Sequence, residues 1–114
     1  MPLEVSRSRF EDLVEDALAG LPPEVEAMLD NVAVMVTDGH PGDPLGRYEG
    51  VPRTARGDYG LMEMPDRITI YRVPLCAHAR DEDDLVREVR ITVVHELGHH
   101  LGIDDDRLHE LGYG

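Results

Sequence analysis

The chain has 114 residues and a mass of 12.7 kDa, with 41% apolar and 31% charged residues. That is enough for one domain and too apolar for a disordered tail. Its eleven basic residues, all arginine, are set against 24 Asp and Glu, and the net charge of −13 stays negative even with all six histidines protonated. Nucleic acid and anionic membrane surfaces are therefore excluded as partners by like charge, and the lack of lysine excludes Schiff-base chemistry and phosphate loops of the Gly-Lys-Ser/Thr type. No apolar run approaches the roughly 18 residues of a membrane span.

In chain order, Phe10, Leu13, Val14, Ala17, Leu18 and Leu21 recur at helical spacing from Ser8 and predict an amphipathic helix ending near Gly20 and Pro22. A short second helix is expected from Pro23 to Leu29, with its proline in the first turn, where no amide donor is needed. Val32 to Val36 is apolar on both alternating faces, which predicts an inner strand covered on each side. The Pro- and Gly-punctuated stretch from His40 to Gly60 suits a long loop, or short hairpin strands around Tyr48 to Val51. Arg67 to Val73 alternates as a half-buried strand, and the bracketing Pro65 and Pro74 suggest an edge position. Asp81, Asp83 and Asp84 supply a cap and favourable charge for a long helix reaching about Leu101, with Leu85, Val89, Val93, Leu97 and Leu101 along one stripe. Gly102 stops it, and Asp104 or Asp105 caps a last short helix.

The chemistry is concentrated near the end of the long helix, which reads His95-Glu96-Leu97-Gly98-His99. Side chains four apart share a helical face with Cβ atoms about 6 Å apart, so two imidazoles can grip one ion. Zinc takes such nitrogens at two corners of a tetrahedron, and Glu96 can stand beside an open corner to accept a proton from water. The apolar neighbours Val93, Val94, Leu97 and Leu101 bury the helix on more than one side, so the polar group must face a cleft or an ion. A catalytic zinc calls for a third protein ligand. Asp105 is the first choice, because a positive φ at Gly102 can turn the chain back towards the two histidines. Glu110, His109 and Asp104 are the alternatives.

Taken together, His95, Glu96, His99, Gly102 and Asp105 resemble the extended signature His-Glu-x-x-His-x-x-Gly-x-x-Asp, the Asp variant of the metzincin-type zinc motif. Through it the chain resembles a small bacterial family of zincin-like metallopeptidases. The likeness covers most of the chain, including Asn31-Val32-Ala33-Val34, Tyr48-Glu49-Gly50-Val51-Pro52, Leu75 and Val94 to Gly112. It implies a single zincin-like domain over residues 1–114 and one Zn2+ per chain held by His95, His99 and Asp105, with Glu96 as general base. The methionine-containing turn that metzincins place after the motif has no counterpart, since the last methionine is Met64. Tyr113 is a candidate for packing beneath the ligands or donating a hydrogen bond to the site.

Other chemistry-bearing residues have simpler readings. His100 points about 100° away from His99 and is expected to face solvent or to act behind the ligands. Cys76 and His78 form an isolated Cys-x-His pair, read as structural. His40 is expected to be exposed, and the acidic clusters lack the donor spacing of a calcium loop. The lone cysteine and the absence of an apolar leader in Met-Pro-Leu-Glu-Val-Ser-Arg lead to an expected cytoplasmic location.

The sequence thus predicts an α+β domain in which a small twisted sheet packs on N-terminal helices and a buried active-site helix. Its predicted activity is zinc-dependent hydrolysis of a peptide or protein substrate, docked by strand pairing along Arg67 to Val73. The alternative is a catalytically silent zincin-like module that binds a peptide or a protein.

Overall fold

The computed structural model describes residues 3–50, 65–100 and 105–110. Helix α1 (Arg7–Ala19) starts where the Ser6 hydroxyl accepts the Arg9 amide at 3.1 Å, satisfying one of the donors that an open helix end leaves unpaired. Its inward stripe of Phe10, Leu13, Val14 and Ala17 is buried. Helix α2 (Pro23–Met28) opens on its proline, as the sequence predicts.

Among the described residues three strands form the sheet: β1 (Val32–Thr37), β2 (Gly46–Glu49) and β3 (Asp66–Tyr71). Their order is β1-β3-β2, with β1 parallel and β2 antiparallel to β3. This reverses two expectations. The strand read as an edge is the centre of the sheet, with Ile68 opposite both Val34 and Tyr48 and with Ile68 and Ile70 fully buried. The strand read as inner, β1, is an edge strand among the described residues, and Met35 on its far face is 48% exposed. Two-sided apolarity misled for β1 because only the face carrying Val32, Val34 and Val36 packs on the core.

Proline misled for β3. Pro74 does not end a strand; it occupies the first turn of helix α3 (Arg72–His78), where its missing amide has no helical partner to lose. The switch from strand to helix falls at Tyr71 and Arg72. Arg72 holds it in place, donating to Asp38 Oδ1 and to the Val5 carbonyl, each at 2.8 Å.

Helix α4 (Glu82–His100) is the spine of the fold. Asp81 caps it by accepting the Asp84 amide at 2.8 Å, and acids fill the first turn, where the helix dipole favours them. Leu85, Val89, Val93 and Leu97 are buried, and so are Glu88, Thr92, Val94 and Gly98, so the helix is covered on several sides. Helices α1 and α3 and strands β2 and β3 all pack on it. Arg9 reaches Glu82 at 2.7 Å, and Arg90 donates to the Ala17 carbonyl at 3.0 Å, so α1 and α4 run parallel and are tied near both ends of α1.

Cys76 and His78 do not form a site. Cys76 is buried and its thiol is pushed up in pKa by that burial, whereas His78 is exposed and approaches Glu88 at 3.5 Å. Residues two apart on a helix face different ways. His40 is exposed, as expected.

Two outcomes follow from this arrangement. Ile68→Ala, in the middle of the sheet, is expected to cost about 2–5 kcal/mol in urea unfolding, and Met35→Ala on the open face about 0.5 kcal/mol or less. Acid is expected to weaken the fold as well. Hydrogen bonds from Arg72 to Asp38 and from Arg9 to Glu82 hold both carboxyls below the usual carboxylate range. Their contribution is therefore complete above about pH 4–5 and fades as pH falls through the depressed folded-state values. Urea midpoints measured from pH 6 to pH 2 should fall more shallowly in the double variant Arg9→Gln/Arg72→Gln.

Candidate metal and catalytic site

The last two turns of α4 carry the site. Thr92, Glu96 and His100 are four apart and form one ridge, and β2 lies along it. Alternation turns Gly46 and Tyr48 to the same face of β2 as their partners Ile70 and Ile68, towards α4. At Gly46 the approach is so close that a Cβ would lie 2.6 Å from Thr92 Cγ2, 3.2 Å from the Thr69 carbonyl oxygen and 3.7 Å from Glu96 Cγ. The absence of a side chain there is what lets the strand settle over Glu96.

Two residues further on, the Tyr48 ring stacks on His100 with centroids 4.0 Å apart and planes 13° from parallel. The Tyr48 hydroxyl donates to Asp66 Oδ2 at 2.7 Å, and His100 Nε2 lies 3.9 Å from the same oxygen. His100 thus faces β2, away from the His95 and His99 pair.

Helical geometry sets the remaining faces. Val93 and Leu97 follow the ridge by 100° and are buried, whereas His95 and His99 lie on its other side. Their rings meet edge to face, 4.4 Å between centroids and 78° between planes. His95 is half-buried and His99 exposed. Two imidazoles converging on one helical turn, with the Glu96 carboxylate one residue along, suit a borderline cation such as zinc.

A catalytic zinc also needs a third protein donor. Among the described residues, no group of three or more His, Cys, Asp and Glu is placed to hold a metal. Asp105 opens helix α5 (Asp105–Glu110), which packs against α4. Its side chain, like Gly102, Asp104 and Tyr113, lies outside the described residues. On the same helix His109 and Glu110 are exposed.

Sequence reasoning singled out His95, Glu96 and His99, and the structure brings the two imidazoles together. It missed Gly46, Tyr48, Thr92 and Asp66. Helical spacing alone could have joined Thr92 to Glu96 and His100, but Tyr48 and Asp66 are 18 residues apart and meet only through the pairing of β2 with β3. The docking strand also needs correction. Both edges of β3 are paired, so a peptide cannot add to Arg67 to Val73.

The sequence model of the zincin-like metallopeptidases matches residues 20–114. The fold is similar to that of a conserved hypothetical protein from Thermus thermophilus, at 29% identity and a TM-score of 0.54 over 85% of this chain and 94% of that chain. No curated protein matches.

The close approach of β2 can be probed sterically. Gly46→Ala is expected to cost about 1–3 kcal/mol, as overpacking does. Thr92→Ser, which removes the methyl group nearest to the added atom, should recover part of the loss, read as a coupling energy in a double-mutant cycle of urea unfolding.

Proposed function

The chain belongs to the zincin-like metallopeptidase family, and from that membership we propose that it hydrolyses peptide bonds with one zinc ion per chain. The observation that carries the reading is the pair of converging imidazoles, His95 and His99, one turn apart on α4 and flanking Glu96 in sequence. His95 and His99 would hold the ion, with Asp105 as the third ligand and Glu110 of α5 as its rival. When bound, zinc supplies a Lewis acid that polarises the scissile carbonyl and makes water a nucleophile near neutral pH.

The chain's own residues do the rest. Glu96, next to His95 on the helix and under the edge of β2, takes the proton from the attacking water and later delivers it to the leaving amine. Among the described residues β2 pairs with β3 alone. A peptide added along its other edge would gain backbone hydrogen bonds and lie across the His95 and His99 face. Such pairing gives affinity with little sequence preference, so the substrate class is an extended peptide segment. Gly102 would supply the turn that brings Asp105 back, and Tyr113 a hydrogen bond at the site. A single free cysteine, buried in the core, supports the cytoplasm as the compartment.

The test combines metal binding with cleavage. Zinc titration of the wild type should saturate at one ion per chain, with affinity falling sharply in His95→Ala, His99→Ala and Asp105→Ala. Loss in Glu110→Ala alone would reassign the third ligand. Glu96→Gln should keep zinc and lose cleavage of a peptide library by about 10²-fold or more, scored by mass spectrometry. Zinc-loaded wild type that cuts nothing in the library would overturn the peptidase reading in favour of a peptide-binding module.

A further inference from the structure

The site as proposed uses His95, Glu96, His99 and Asp105 and leaves unexplained a second set of side chains beside it. Tyr48, Asp66 and His100 come from three separate elements, β2, β3 and α4, and meet at one point. We propose that they form a clamp, with Tyr48 as its positioning residue, which fixes the outer edge of β2 relative to Glu96 and so sets how a docked peptide lies over the reacting groups. The proposal rests on the peptidase reading.

Strand β2 has only four residues, and β3 supports it from one side. A strand so short is held over a helix by few contacts. At its first residue, Gly46, the strand meets Thr92 and Glu96 with no side chain between them. That contact sets a minimum distance but supplies no grip. The grip lies two residues along, where the Tyr48 ring lies flat on His100 and its hydroxyl is fixed on Asp66.

Glu96 stands midway on the same ridge, one turn from Thr92 and one turn from His100. The strand is therefore stopped at one end and held at the other, with Glu96 between the two points. A peptide pairing with β2 inherits that placement, because backbone pairing fixes its distance and register to the strand. Neither Tyr48 nor Asp66 needs to touch the substrate for this effect.

Hydrogen exchange and kinetics on the zinc-loaded full chain test the clamp. Tyr48→Leu, which removes both the ring and the hydroxyl, should speed amide exchange across Arg47 to Glu49. It should also raise KM for the best-cleaved library peptide by about three- to tenfold, the range that aromatic pair energies span, with a smaller change in kcat. Zinc affinity should stay within about twofold, because an aromatic stack away from the ligands carries none of the coordination. Tyr48→Phe keeps the stacked ring and should fall between the wild type and Tyr48→Leu.

Unchanged exchange in Tyr48→Leu would overturn the clamp itself. Faster exchange with unchanged KM would overturn its part in placing substrate while leaving the peptidase reading intact. A loss of zinc affinity in Tyr48→Leu would also overturn it, by showing that the residue supports the metal site. A wild type that cuts no peptide would remove the peptidase reading, and the clamp's role in it, even where exchange still shows the clamp holding the strand.

Discussion

Everything chemical in this molecule depends on how closely a short strand can lie on a long helix. Helix α4 is buried on several sides by α1, α3 and the sheet, so its rotation about its own axis is fixed by core packing and not by the site. Val93 and Leu97 point into the core. Their burial dictates where Glu96 points, and then where His95 and His99 must point, because successive residues are 100° apart. The hydrophobic effect thus aims the polar group, and Gly46 lets β2 come near enough to matter.

The helix that bears the site was legible in the sequence because its information is local. Spacing of four places His95 beside His99 whatever the rest of the chain does, and the Asp81 cap and acidic first turn mark where the helix begins. Strand order carries no such local mark. The alternation in Ile68 and Ile70 says which face is buried but not which strands lie on either side. Prolines that suggest an edge serve equally well in the first turn of a helix, as Pro74 does.

The parts of the site that escaped sequence reasoning share one property: they are made by contacts between elements. Gly46 reads as loop punctuation until Thr92 is found against it. Tyr48 reads as one aromatic in a Pro- and Gly-rich stretch until the antiparallel register sets it opposite Ile68 and turns it towards α4. Asp66 begins a strand and reads as a boundary residue, yet its carboxylate is where the Tyr48 hydroxyl ends. No periodicity within one element carries such information, which belongs to the sheet as a whole.

Helix α1 has a different implication. Phe10 and Ala17 are as deeply buried as the sheet's own Ile68 and Ile70, and Leu13 and Val14 are buried beside them, yet all four precede the stretch, residues 20–114, that the family's sequence model matches. The interior therefore crosses the border of the matched region. A chain trimmed to that border would bare the flank of α4 that α1 covers, with Arg90 and Glu82 stripped of their partners. Shared ancestry marks out one stretch of this chain, and the buried core spans a longer one.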